Sequence, residues 1–128
     1  MADFKQHCND CERILGLKFE EIHKHMDEMF KYFGPLHRRV RHHKQGVNEV
    51  QKIFGKEEAK AAIIHIVRDC GAVPDIQDYV NHKVNEYGFN NQTAPEYLFY
   101  DGLTETALQK FMIQVEYEWK KYLIGGMA

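Results

Sequence analysis

The chain has 128 residues, which is enough for one domain with a hydrophobic core of its own. Apolar residues make up 44% of it and charged residues 28%, a composition that excludes a disordered protein and a membrane protein. The net charge of −2 excludes a global field that would hold the molecule on extended nucleic acid or on a lipid surface. No apolar run approaches the roughly 18 residues of a transmembrane helix, and the amino terminus lacks the apolar segment of a signal peptide. We therefore expect a cytoplasmic protein.

The first predicted helix covers residues 3–15 and is closed by Gly16. It carries the motif C-x-x-C, formed by Cys8 and Cys11, with His7 beside it. The second half of a structural zinc site is missing, so we interpret the two thiols as small apolar residues on the inner face of the helix. Three cysteines are an odd number, and together with the missing export signal this predicts that all three are free thiols.

A second helix is predicted over residues 18–33, ending at Gly34-Pro35. A third, long helix should follow and run to Gly55. On a 3.6-residue wheel, His43 lies in the middle of the apolar stripe of this third helix. An imidazole that faces a core costs about 1–3 kcal/mol unless it is paired, so His43 should have a polar partner. The predicted stripes are Phe19, Ile22, Met26, Met29, Phe30 and Phe33 for the second helix, and Leu36, Val40, His43, Val47, Val50 and Phe54 for the third.

The rest of the chain is predicted to contain three more helices and one long connection. A helix over residues 56–70 has small residues on its inner face, which suggests a close helix crossing. A fifth helix opens at Asp75, a plausible N-cap. Residues 88–102 form an aromatic-rich loop of a kind that is often functional, and residues 104–124 form a strongly amphipathic helix. The expected fold is all-α, an irregular bundle of about six helices in a single domain that spans the whole chain.

Two histidines are each followed four residues later by an aspartate, on two different predicted helices. The pairs are His23 with Asp27 and His65 with Asp69, a spacing at which two side chains can hold one ion. With the inward-facing His43 they form a candidate site for a divalent metal. Imidazole and carboxylate ligands suit zinc, manganese or iron, and they leave coordination positions open for water or substrate. A metal in such a site lowers the pKa of bound water towards ~7 and so supplies hydroxide for hydrolysis.

The same pairs also have a structural interpretation. An aspartate that accepts a hydrogen bond from the histidine one turn before it satisfies a buried imidazole without any metal. For one pair alone the structural role is favoured, whereas two pairs together with His43 favour neither role over the other. Both interpretations stay open from the sequence.

Several basic groups lie around His43 on the third predicted helix. Arg38 and Arg41 point away from the apolar stripe, where a guanidinium suits bidentate contact with phosphate, and His37 and His42 flank the stripe. We assign these four residues as candidate ligand-binding or phosphate-binding groups. A run of charge on the outer face of a helix is usually only solvated. The basic residues here are also too few for extended nucleic acid, where about six to ten phosphate contacts are common.

The same residues carry a resemblance to a known family. The sequence shows Ile22-His23 with Asp27, then His37-Arg38 and Arg41-His42-His43 with Gly46, then His65 with Asp69, Gly71 and Pro74. In this order and spacing it resembles an uncharacterised family of small bacterial and phage proteins, a domain of unknown function, over about residues 7–80. The resemblance implies no activity, but it implies that nine residues belong to one site: His23, Asp27, His37, Arg38, Arg41, His42, His43, His65 and Asp69.

These features predict a small metal-binding protein that hydrolyses a phosphate-containing substrate, in the cytoplasm of a bacterial host or encoded by a phage. The alternative is a non-enzymatic protein that sequesters a nucleotide or another small anionic ligand, or blocks a host protein, with the loop at 88–102 closing over the ligand. A third hypothesis is a structural domain whose polar cluster fixes the register of the helices. Each is compatible with a homo-oligomer. Metal content separates the first hypothesis from the other two.

Overall fold

The computed structural model describes residues 3–85, 88–89 and 105–124. Its class is all-α, as predicted. A 3-10 turn covers Gly34–His37, and a π-helical turn covers Lys120–Ile124. Two two-residue strands, Val84–Asn85 and Gly88–Phe89, pair antiparallel. The helices are α1 (Phe4–Leu15), α2 (Glu20–Asp27), α3 (Phe30–Phe33), α4 (Arg38–Arg41), α5 (Lys44–Ile53), α6 (Lys56–Cys70), α7 (Ile76–Val80) and α8 (Glu105–Trp119).

Helix α6 is the centre of the molecule. Every residue from Ala61 to Cys70 is buried, and α1, α2, α5 and α8 all pack against this helix. A helix that is buried on all sides should be apolar all round, but this span also contains His65, Arg68 and Asp69. Because buried polar groups must be paired, these three residues determine what the surrounding helices present to α6.

The amino-terminal helix and the cysteines agree with the sequence-based interpretation. Asp3 and Gln6 form a capping box at the start of α1, and Gly16 ends the helix in the left-handed conformation, with φ of 84°. The three cysteines are buried and free in the structure. Asp75 is the N-cap of α7, as predicted. No described helix is long and apolar enough to cross a membrane.

The predicted second helix is interrupted. Helix α2 ends at Asp27, and α3 begins again at Phe30 after a turn. Phe30 and Phe33, which were expected in the core, are 52% and 51% exposed, whereas Ile22 and Met26 are buried. The apolar pattern is therefore buried only in its first half.

The predicted unbroken third helix is wrong. The chain leaves the helical conformation at His42, with φ −85° and ψ 61°, and is extended at His43, with φ −160° and ψ 176°. Groups distant in sequence stabilise this break. The Tyr79 hydroxyl donates to the His42 carbonyl at 2.7 Å, and the Lys44 N–H donates to the Pro74 carbonyl at 2.8 Å. Because the break changes the direction of the chain, the predicted stripe is not continuous, and Leu36 is 56% exposed.

Helix α8 covers another side of α6. Its buried residues include Ala107, Phe111 and Val115, which join the same core cluster as α6. The Trp119 indole N–H donates to the Lys60 carbonyl at 3.3 Å. The predicted helix at 104–124 thus agrees closely with α8 and its π-helical turn. The predicted loop at 88–102 lies outside the described residues, apart from its first two.

Candidate metal centre

Polar side chains from α1, α2, the 3-10 turn and the α4–α5 region lie around the carboxy-terminal half of α6. Helix α6 itself contributes His65 and Asp69, one turn apart. The Asp27 side chain is 35% exposed, while each of the other members is at most 5% exposed. The full cluster is His7, His23, Asp27, His37, Arg38, His42, His65 and Asp69.

Four members converge on one point. Nε2 of His65 lies 3.2 Å from Oδ1 of Asp27 and 3.3 Å from Oδ2 of Asp69. Nε2 of His42 lies 3.4 Å and 3.3 Å from the same two oxygens. All four atoms lie within 4.8 Å of one another. Each of the two imidazole nitrogens thus lies 3.2–3.4 Å from one oxygen of each carboxylate.

These separations match those between the ligands of a metal ion. In a tetrahedral site with bonds of about 2.0–2.1 Å, neighbouring ligand atoms lie about 3.3–3.4 Å apart. The 3.2 Å contact between His65 and Asp27 is a long hydrogen bond, and the other three distances exceed the usual range of about 2.7–3.2 Å. Nε2 of His42 is indeed buried without a well-formed hydrogen bond to the described residues. The spacing of the four atoms is therefore compatible with a shared ion.

His23 orients the ring of His65. Nδ1 of His23 lies 3.0 Å from Nδ1 of His65, and Nε2 of His23 lies 3.0 Å from the Lys18 carbonyl. A carbonyl only accepts, so Nε2 of His23 carries a proton and its Nδ1 accepts the Nδ1–H of His65. This arrangement leaves Nε2 of His65 facing the carboxylates. A metal-ligating imidazole commonly donates its other N–H to a fixed acceptor in this way.

A second group, His7, His23 and His65, also offers ligand atoms within 4.8 Å of one another. Its rings are nearly parallel. His7 stacks on His65 with centroids 3.6 Å apart and planes at 12°, and the planes of His23 and His65 differ by 21°. Nitrogen lone pairs lie in the ring plane, so those of two stacked rings run side by side and do not converge. His42 and His65, at 67°, are oriented much better for one ion.

The two carboxylates are also held from outside this set of four. His37 places Nδ1 2.8 Å from the Gly34 carbonyl and Nε2 3.1 Å from Oδ1 of Asp27. Arg38 donates from Nη1 to the Asp69 carbonyl at 3.4 Å, and its Nη2 lies 3.6 Å from Oδ1 of Asp69. Contacts of this kind fix the orientation of ligand carboxylates.

The electrostatics keep both carboxylates ionised. Burial alone would raise the pKa of Asp27, but His65 and the neighbouring imidazoles outweigh it and hold the pKa below its ordinary value. In the same way the pKa of Asp69 stays well below its ordinary value, because His7, His42 and His65 outweigh the effect of burial.

The pKa values of the His65 and His23 imidazoles shift in opposite directions. Burial acts to lower the pKa of His65, but Asp27 and Asp69 raise it to about 9. Burial and the neighbouring His65 and His7 lower the pKa of His23 to about 3, which agrees with its role as a neutral acceptor. A metal ion at this site would therefore displace a proton from Nε2 of His65.

A family model described as Domain of unknown function (DUF6915) matches residues 2–87. The chain belongs to this family. All eight members of the cluster lie inside the matched region, whereas α8 lies beyond it. Neither the curated proteins nor the solved structures contain a match to the chain.

Within the DUF6915 region, the structure brings together seven of the nine residues predicted as one site. His23 and Asp27 were expected to meet each other, but His23 contacts His65, and Asp27 contacts His37, His42 and His65. His42, predicted as a ligand-binding residue beside the metal, lies among the four converging groups. The exceptions are Arg41 and His43.

The structure places His43 outside the cluster. Its Nδ1 accepts from the N–H of Gly46 at 3.1 Å, and its Nε2 donates to the Val40 carbonyl at 2.9 Å. Both ring nitrogens are thus engaged, so the assignment of His43 as a metal ligand is corrected to N-cap of α5.

The two predicted phosphate-binding arginines are also placed differently. Arg38 is 3% exposed and lies against Asp69, not on an outer face. Arg41 donates to the His25 carbonyl at 2.7 Å and to the Glu28 carboxylate at 3.2 Å. Both guanidinium groups are engaged by the protein itself.

His7 belongs to the cluster but could not be assigned to the site from the sequence. Its ring stacks on His65, and its Nε2 lies 3.3 Å from Oδ1 of Asp69. The buried ion pair between Asp10 and Arg68, at 2.9 and 3.0 Å, holds α1 against α6 at this level. The spacing of His7, Asp10 and Cys11 places them on one face of α1 and could have indicated the role of His7. The apolar pattern through Cys8 instead predicted that a neighbouring face of the helix is buried.

Proposed function

We propose that this protein binds a divalent metal ion through Asp27, His42, His65 and Asp69. The observation that carries the proposal is the crosswise set of distances, 3.2–3.4 Å, between two imidazole nitrogens and two carboxylate oxygens. These groups come from α2, the α4–α5 break and α6. Their agreement with the spacing of ligands around one ion supports a site prepared for metal.

The ligand set indicates which metals and which chemistry fit. Two imidazoles with two carboxylates suit zinc, manganese or iron. A metal held by these four groups would have to take a fifth ligand, a water or a substrate oxygen, and would then polarise that oxygen or make hydroxide available near neutral pH. The reaction class we assign is hydrolysis of a phosphate ester. Asp27 and Asp69 balance a divalent ion, and the guanidinium of Arg38 beside them adds a positive charge that favours an anionic substrate.

The metal-free alternative, in which the cluster binds an anion directly, has less support. Such a site would present the arginines to the ligand, but Arg38 and Arg41 already bind protein groups. It would also have to place an anion against two ionised carboxylates, which repel it.

The first experiment is metal analysis of the purified protein, followed by thermal unfolding with added zinc, manganese or iron and with a chelator. We expect about one ion per chain. An ion at 100 times its dissociation constant should stabilise the fold by about 2.7 kcal/mol. A protein that contains no stoichiometric metal and gains no stability from any of the three ions would refute the proposal.

Two adjacent histidines provide a matched pair of variants. His42→Ala removes a proposed ligand and should abolish the stabilisation by metal, together with any hydrolysis of p-nitrophenyl phosphate. His43→Ala removes the N-cap of α5 and should cost about 0.5–2 kcal/mol of stability while metal binding is retained. If the two variants bind metal equally well, His42 is not a ligand.

A further inference from the structure

The proposed metal site opens to solvent at one side, next to an exposed apolar surface. Asp27 is 35% exposed, whereas the other described members of the cluster are nearly fully buried. Three residues after Asp27, Phe30 packs the edge of its ring against His37, with centroids 5.3 Å apart, yet remains 52% exposed. Leu36, just before His37, is 56% exposed. Phe30 and Leu36 are here called the apolar rim: Phe30 lies against His37, which contacts Asp27, and Leu36 is adjacent to His37 in the sequence.

Phe30 contacts His37 with the edge of its ring, and more than half of the residue remains accessible. Accessible apolar side chains at the edge of a polar binding site commonly contact the ligand. His37 links the rim to the site, because its Nε2 lies 3.1 Å from Oδ1 of Asp27. A molecule that reaches the metal past Asp27 would therefore pass over Phe30.

The net charge of the metal-loaded site indicates that the part of a ligand nearest the ion would be anionic. With a divalent ion bound, Asp27 and Asp69 cancel the charge of the ion, and Arg38 leaves an excess of one positive charge. An oxygen anion that coordinates the ion as a fifth ligand would balance this excess. The other proposed ligands are nearly fully buried, so a ligand would approach the ion past Asp27 and its body would remain at the rim.

We propose that the ligand of this site is a small molecule with an anionic oxygen head group, which binds the metal, and an apolar or aromatic body, which packs on Phe30 and Leu36. This inference rests on the proposed metal site and specifies the class of molecule that the site accepts.

The test uses the whole chain loaded with Co²⁺, whose visible absorption reports on ligands that bind the ion. Two pairs of probes differ only in their body: phenylphosphonate with methylphosphonate, and benzoate with acetate. Partial burial of a phenyl ring is worth about tenfold in affinity, so the aryl member of a pair should bind about tenfold more tightly. A preference in the phosphonate pair alone supports a phosphate-type head group, and a preference in both pairs supports any anionic oxygen.

Variants of the rim separate this inference from the metal proposal. Phe30→Ser should reduce the preference for the aryl probe at least threefold without changing the binding of Co²⁺, and Phe30→Leu should retain most of it. Ile113→Ser, at an apolar residue of α8 that is 69% exposed, is the matched control and should leave the preference unchanged. Normal Co²⁺ binding with no aryl preference, or with a preference that Phe30→Ser leaves intact, overturns this inference alone. Failure to bind Co²⁺ or any other ion overturns the metal proposal and this inference with it.

Discussion

His65 uses its two ring nitrogens for different purposes. Nδ1 contacts His23, whose other nitrogen is fixed by the Lys18 carbonyl, and Nε2 faces Asp27 and Asp69. The ring therefore has one orientation only. This orientation depends on a residue that does not itself belong to the four converging groups.

The role of His23 as a positioning residue can be measured. His23→Ala should leave one metal ion per chain but weaken its affinity about 10–100-fold, because the Nδ1–H of His65 loses its acceptor. Titration in competition with a chelator gives this affinity. The control is His82→Asn, at an exposed residue with φ of 57°, a conformation that asparagine tolerates. Unchanged affinity in His23→Ala, accompanied only by a lower melting temperature, would mean that His23 is purely structural.

The sequence identified His65 and Asp69 because their spacing of four residues is a local property of one helix. It could not distinguish His42 from His43, since the direction of each side chain was calculated for an unbroken helix. The break that places His42 in the cluster and His43 outside it depends on Tyr79 and Pro74, which lie far away in the sequence. Local periodicity contains no information about such contacts.

At the scale of elements, α4 and α5 approach each other closely where the chain turns. A Cβ atom at Gly46, in the first turn of α5, would collide with the carbonyl group of Arg41 at the end of α4. Only glycine allows the two backbones to pass at this distance. This close approach explains why the pattern that resembles the family has glycine at position 46.

Gly46→Ala should consequently destabilise the protein by about 1–3 kcal/mol, because the backbone must move to accept one methyl group. It should also weaken metal binding, since the same movement displaces His42. Gln45→Ala, at an exposed neighbour in the same turn, should change stability by less than about 0.5 kcal/mol. Urea unfolding of both variants tests this, and equal stabilities would show that the turn adapts without cost.

Helix α8 carries a buried carboxyl group at Glu118. Its Oε2 accepts the N–H of Val73 at 3.1 Å, and its Oε1 accepts from the Gln114 amide at 3.2 Å. Burial raises the pKa of Glu118, and these hydrogen bonds and Lys121 offset the effect only in part. A carboxyl with a raised pKa stabilises the fold most below its ordinary pKa, and this contribution is lost as the pH rises through the raised value.

Glu118→Gln should therefore become more stable relative to the wild type as the pH rises from about 4 to about 7, because glutamine does not titrate and can still accept from Val73. Urea unfolding at both pH values gives the difference. Glu116→Gln, at an exposed position of the same helix, should show much less change. A stability difference that is the same at both pH values would contradict the prediction.

At the scale of the whole molecule, one core joins the DUF6915 region to the helix beyond it. Ala107, Phe111 and Val115 of α8 are fully buried in the same cluster as α6, although the family model ends at residue 87. The sequence predicted this helix and its inner face because its amphipathic pattern is long and regular. It did not predict that α6 is the helix covered, since pairing of distant segments leaves no local signal.

Phe111→Ala should cost about 3–5 kcal/mol, as expected for a large side chain removed from a packed core. Ile113→Ala, two residues along on the exposed side, should cost less than about 0.5 kcal/mol. Thermal and urea unfolding provide both values. A small effect at Phe111 would mean that α8 is dispensable for the fold of the family region.

The order of the site residues along the chain has a kinetic consequence. Asp27 and His65 are 38 residues apart in sequence, and Nε2 of His65 lies 3.2 Å from Oδ1 of Asp27; His42 lies between them in the sequence, with its Nε2 3.4 Å from the same oxygen. An ion bound to all three would tether distant parts of the backbone and close two loops, as a pair of covalent cross-links would. The chain could then open completely only after the tether is released, so we expect a chelator to accelerate unfolding even under conditions in which the equilibrium strongly favours the folded state.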